Sequence, residues 1–161
     1  MKKEFVNAWR ENMNKLQEYF KTTKQEEYDS YEKIVTNIFQ IVINPYLENN
    51  SEYPLKEGFN TKEMTVIDNG DYQGTQLFIL PLNVYQPSIE DYVVTNTYYG
   101  SCSGCDTLLS ISSYDTSELP NEEQVKGYMT LSLHIIQKCK MLYEEENKWL
   151  SFYYGVCLCT Y

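Results

Sequence analysis

The chain has 161 residues, 42 % of them hydrophobic, enough to bury one sizeable core without disulfide support. Its 23 acidic side chains outweigh 13 basic ones, for a net charge of −10. That balance repels nucleic acid and anionic membranes and favours encounters with basic protein surfaces. Met1-Lys2-Lys3-Glu4-Phe5 has no following apolar stretch, and no run is long enough for a bilayer, so a cytoplasmic location and no membrane partner are expected. In that compartment five cysteines read as thiols or metal ligands rather than disulfides. Sixteen tyrosines serve an aromatic core and contact surfaces alike.

Phe5, Trp9, Met13, Leu16 and Phe20 recur at helical spacing and predict an amphipathic helix from about Lys3 to Lys21. A second helix is expected from about Gln25 to Ile43, with Tyr28, Tyr31, Val35, Ile38, Phe39 and Val42 inward and Pro45 as its stop. The two form a helical hairpin over residues 1–46. After a loop with Pro54 and Gly58, Met64–Ile67 and Thr75–Leu80 read as a β-hairpin about the turn at Asn69-Gly70-Asp71. Asp91–Tyr99 is a third strand, running straight into Cys102 and Cys105. A short helix is expected over Asp106–Ser112 and a long one from Pro120 to about Glu146. The long helix has Val125, Tyr128, Met129, Ser132, Ile135, Ile136, Cys139, Leu142 and Tyr143 on one face. Trp149–Cys159 reads as a last strand. The expected class is α+β: one domain over 1–161, with the hairpin followed, over 60–161, by a small, mostly antiparallel sheet against a long carboxy-terminal helix.

Cys102-Ser103-Gly104-Cys105 is the constellation able to carry chemistry. A C-x-x-C turn points two thiolates at one ion, and Gly104 would permit a tight backbone path. Cys157 and Cys159, two apart on a strand and so on one face, would complete a structural zinc site; His134 and Cys139 are other candidates. On an apolar helix face, Cys139 reads better as a small buried hydrophobe. An alternative uses Cys102 and Cys105 alone as a thiol–disulfide oxidoreductase, with Cys102 as nucleophile at a helix start and Cys105 resolving. The βαβ unit and the aromatic-Cys-Gly-Pro-Cys form of thioredoxin-like proteins are missing from the sequence. With one histidine, a multi-histidine metal site is excluded.

The strings Gly70-Asp71-Tyr72-Gln73-Gly74-Thr75, Tyr85-Gln86-Pro87-Ser88, Tyr99-Gly100-Ser101-Cys102-Ser103-Gly104-Cys105-Asp106-Thr107-Leu108 and Gly127–His134 resemble a group of small phage and prophage proteins of Firmicutes. The likeness spans roughly residues 64 to 140. Some small acidic proteins of streptococcal phages are anti-CRISPR inhibitors of Cas9, and this chain looks like that class. The resemblance implies a phage-encoded, non-enzymatic protein of the host bacterial cytoplasm that binds a Cas9–guide RNA complex and blocks target DNA binding or cleavage. It would hold a structural zinc and would not itself contact nucleic acid. A phage accessory protein without catalytic activity is a further reading. Glu118, Glu122, Glu123, Glu144, Glu145 and Glu146 are the carboxylates expected to meet the partner's basic channel.

Overall fold

The computed structural model describes residues 3–25, 30–111 and 118–143. The architecture is α+β, as expected from the sequence. Helix α1 (Lys3–Thr22) comes first, followed by α2 (Tyr31–Asn37), a π-helical stretch (Ile38–Ile43) and α3 (Asn44–Asn50), which join end to end. Strands β1 (Thr65–Asp68), β2 (Gly74–Pro81) and β3 (Tyr92–Tyr99) follow, then α4 (Thr107–Ile111), α5 (Glu122–Gln137) and the short strand β4 (Lys140–Met141). The sheet is antiparallel throughout, in the order β1-β2-β3-β4. No described helix is long and apolar enough to cross a membrane.

The buried face of α1 is Phe5, Ala8, Asn12, Leu16 and Phe20. Two members of the expected stripe lie off it: Trp9 is half-buried and Met13 is exposed at 38 %. Asn12 takes the inward position because its amide donates to the Val42 carbonyl at 3.0 Å, and a buried amide with a partner carries little penalty. Val42 lies in the π-helical stretch.

That stretch also explains why Pro45 fails to end the helix. A proline ring clashes with the carbonyl four residues back in a regular α-helix, whereas a locally widened turn gives it room. The Asn44 N–H bonds to the Phe39 carbonyl, five residues back, and helical geometry runs on to Asn50. Ser30 caps α2 by accepting from the Lys33 N–H. Tyr31, Val35, Ile38, Phe39 and Val42 all face inward as the spacing predicts; Tyr28 lies outside the described residues.

Helix α5 begins on a capping box in which the side chains of Asn121 and Gln124 reciprocally accept each other's backbone N–H. It stops at Gln137, well short of Glu146, because the chain leaves it to pair Met141 with Val93 and Lys140 with Val94 on the free edge of β3. Cys139 is therefore buried in the link between helix and strand. The expected strand over Trp149–Cys159 lies outside the described residues.

Alternation along β3 sends Val93, Thr95 and Thr97 inward, and the register sets Phe78 of β2 beside Thr95 on that face. Thr95 donates its hydroxyl to the Ile135 carbonyl at 2.8 Å, tying sheet to α5. Phe20 of α1 stacks on Tyr128 of α5 with centroids 4.9 Å apart and rings inclined by 15°. Asn44 clasps Phe59, donating to its carbonyl at 2.9 Å and accepting its N–H at 2.8 Å. Gly58 precedes that clasp at φ +67, a conformation glycine takes without strain. Phe59 in turn bridges to Leu82 beyond β2.

Replacing Phe20 with alanine removes one wall of the α1–α5 contact and leaves Tyr128 against a cavity. Urea unfolding should register a loss of about 3–5 kcal/mol, while Met13→Ala on the exposed side should stay within about 0.5 kcal/mol.

Candidate functional site

Two places in the fold gather functional side chains, one at each end of β3. At its carboxy-terminal end the chain turns through Ser101–Cys105, all exposed, before Asp106 dives into the interior at 5 % exposure. The turn closes with the Cys105 and Asp106 N–H groups both donating to the Cys102 carbonyl, at 2.9 and 2.8 Å. Asp106 holds it from below. One carboxylate oxygen accepts the Gly100 N–H at 2.9 Å; the other accepts the Leu109 N–H at 2.8 Å and the Tyr31 hydroxyl at 3.1 Å. Asp106 is thus the N-cap of α4 and also the anchor to α2. The Tyr31 oxygen accepts the Leu108 N–H as well. Burial, together with the Asp106 charge, raises the Tyr31 phenol far above its ordinary value, so it stays a donor.

On this support the Cys102 and Cys105 sulfurs lie 3.1 Å apart, both as free thiols. The Cys105 sulfur also accepts the Cys102 N–H at 3.2 Å. The Cys105 thiol is held below its ordinary value, chiefly by the hydrogen bond from the Cys102 side chain, with the Cys102 N–H and Ser101 adding to the effect. The redox expectation named Cys102 as the activated thiol, through a helix N-terminus. In the structure Cys105 Sγ accepts the Cys102 N–H and donates to the Cys102 carbonyl at 3.3 Å, and α4 has only five residues, so its dipole is small.

The glycine that the turn requires is Gly100, not Gly104. A Cβ on Gly100 would sit 2.5–2.6 Å from the Cys105 carbonyl group and sulfur, whereas one on Gly104 would meet Cys102 Sγ at 3.8 Å, an ordinary contact.

The zinc expectation gathered four cysteines. Cys102 and Cys105 come together, while Cys157 and Cys159 lie outside the described residues. Among the described residues no group of three or more potential ligands assembles. His134 is exposed on α5, and Cys139 is fully buried, its sulfur 3.5 Å from the Ile135 carbonyl. Burial pushes the Cys139 thiol up to about 12, against a smaller lowering from Thr95, in the setting of a small packed side chain. The described residues thus bring together two of the four expected zinc ligands, Cys102 and Cys105.

The other end of β3 was not legible in the sequence. Pro54, Leu55, Leu82, Glu90, Asp91, Met141 and Tyr143 line an open groove of about 290 Å³. Its floor is set by strand pairing: Leu82 N–H donates to the Asp91 carbonyl and Leu142 N–H to the Tyr92 carbonyl, both at 2.7 Å. Asp91 Oδ2 accepts the Ser88 N–H and hydroxyl, which fixes its carboxylate at the edge of the groove. Glu90 and Tyr143 are exposed. Of the expected partner-binding carboxylates, Glu118, Glu122 and Glu123 are exposed around the start of α5, where Glu122 and Glu123 also complement the helix dipole. Glu144, Glu145 and Glu146 lie outside the described residues and follow Tyr143 in the chain.

Comparison with known proteins returned no matching family, curated protein or solved structure.

Gly100→Ala should force Cys105 away from the strand end and lower stability by about 1–3 kcal/mol in thermal or urea unfolding, with Gly104→Ala close to neutral. Cys139 gives a pH signature. The unfolded thiol loses its proton near 9.0 and the folded one near 12, so the raised value stabilises the fold fully below pH 9.0. That contribution is lost as pH rises from there toward 12. Urea midpoints should fall over this range, and less steeply in Cys139→Ala.

Proposed function

We propose that the protein is a phage-encoded, non-enzymatic binding protein that docks on a basic, nucleic-acid-handling surface of a host nuclease, the Cas9–guide RNA complex, and blocks access of target DNA. The observation that carries the reading is the groove at the amino-terminal end of β3. An apolar floor of Leu55, Leu82 and Met141 is edged by the carboxylates of Glu90 and Asp91 and by the ring of Tyr143. That chemistry suits the side chain of a lysine or arginine: methylenes against the floor, the cationic head between carboxylates and over an aromatic face.

The surroundings support it. Tyr53 precedes the groove's Pro54, and Tyr85 and Ile89 belong to the loop that leads to Glu90; all three are exposed, Tyr85 at 91 %. Exposed aromatics are common anchors of protein interfaces. Lys140, the basic neighbour of Met141, pairs with Val94 and so belongs to the opposite face of the sheet. A net charge of −10 steers approach to a basic channel and repels the nucleic acid that would compete for it. The partner's identity comes from the phage-protein resemblance, and its chemical class from the groove.

The test is direct binding of the full-length chain to a Cas9–guide RNA complex, paired with a target-cleavage assay. A stoichiometric complex and complete inhibition near one chain per nuclease are expected, with affinity falling as salt rises. Glu90→Lys combined with Tyr143→Ala should weaken binding at least about tenfold, or about 1.4 kcal/mol. Absence of a complex would refute the partner. A complex whose affinity ignores these substitutions would refute the groove, and inhibition far below stoichiometry would indicate catalysis instead.

A further inference from the structure

We propose that Cys102 and Cys105 form a reversible dithiol–disulfide pair in which Cys105 is the attacking thiolate and Cys102 the thiol that closes the bridge. The inference is independent of the groove. It concerns the opposite end of β3, eight residues and roughly 25 Å along the strand.

Three features of the geometry point to it. The sulfurs already face one another at 3.1 Å, so the bridge closes by about 1 Å of approach, within side-chain rotation. Both thiols are exposed and open to a reagent. The frame beneath them is rigid, since Asp106 bonds to the backbone on either side of the turn and to Tyr31 across the fold. Bridging the sulfurs requires no rearrangement of that frame.

The order of attack follows from the hydrogen bonds. As a neutral thiol Cys105 donates to the Cys102 carbonyl at 3.3 Å; on ionising it gives up that bond but keeps the Cys102 N–H as donor at 3.2 Å, and the Cys102 thiol, 3.1 Å away, is free to turn its proton toward it, an arrangement that favours negative charge on Cys105. With a small-molecule disulfide R–S–S–R as oxidant, the Cys105 thiolate attacks one sulfur, forming Cys105–S–S–R and releasing R–S⁻. Cys102 then loses its proton and attacks Cys105 Sγ, closing the intramolecular bridge and releasing the second R–S⁻. The oxidant takes up two electrons, the protein gives up two electrons and two protons, and two thiols R–SH result. A low-molecular-weight thiol runs the sequence backwards.

The sequence supplies a clean readout. Trypsin cuts after Lys62 and Lys126 with no lysine or arginine between, so the peptide 63–126 carries Cys102 and Cys105 and none of the other cysteines. Reduced full-length protein is mixed with oxidised glutathione, quenched, alkylated and mapped by mass spectrometry. In the unsubstituted chain the peptide should lose two hydrogens, and dithiothreitol should restore it. In Cys102→Ser it should stop as a single glutathione adduct on Cys105, and in Cys105→Ser it should form adduct several-fold more slowly. Three results would overturn the proposal: a peptide that stays reduced while Cys139, Cys157 or Cys159 react; equal adduct rates in the two variants; or thiols that resist alkylation until a chelator is added, which would assign the pair to a metal.

Discussion

A single buried carboxylate organises one end of this molecule. Asp106 receives donors from three elements: the end of β3 through Gly100, the first turn of α4 through Leu109, and the first residue of α2 through the Tyr31 hydroxyl. Hydrogen bonds to a charged acceptor are stronger than neutral ones, and a buried carboxylate stripped of donors is costly. The strand end, the short helix and the amino-terminal helices are therefore held in one arrangement, and the thiol turn is carried on it. The turn itself has few apolar contacts, its residues being exposed from Ser101 to Cys105. Its order comes from the acid below.

β3 links the two regions with functional geometry. Its inner face, Val93, Thr95 and Thr97, is locked to α5 and the core, which makes the strand a rigid spacer. One terminus carries a groove edged by Glu90 and Asp91 and the other a pair of thiols. The groove suits a basic partner and needs only burial and charge; the thiols suit a soft electrophile and need only approach. The two chemistries are separable by substitution.

The periodic parts of the fold were legible in the sequence, since they follow from a helix or strand burying one face. The inward set of α2 and its π-helical continuation, and most of the buried faces of α1 and α5, come from spacing, and the β-hairpin from its turn residues. The misses share a cause: a tertiary partner overrode a local rule. Asn12 displaced Met13 from the buried face because a carbonyl on the neighbouring helix was available. Pro45 was absorbed by a widened turn, and α5 ended early because β3 offered a free edge. Asp106 could have been found. An aspartate just before Thr-Leu-Leu at a helix start carries an N-cap signal, although its bond to Tyr31 across 75 residues carries none. The groove is assembled from four separate segments, so no local pattern encodes it. The cysteine pairing was half legible: a C-x-x-C turn announces that two sulfurs meet, but not how closely or which one carries charge.

The widened turn at Ile38–Ile43 has a consequence for rotational phase. Each residue added to a helix rotates everything after it by about 100°, so a bulge resets the azimuth of the segment that follows. Here that segment begins with Asn44, whose amide grips the Phe59 backbone, and Phe59 is laced to Leu82 in the floor of the groove. The helix therefore works as a gear train: the pitch of one turn inside the amino-terminal bundle fixes the angular position of a groove that begins more than ten residues later. Deleting Gln40, the exposed polar residue of that turn, would leave its hydrophobic side chains intact and still swing Asn44 off its grip.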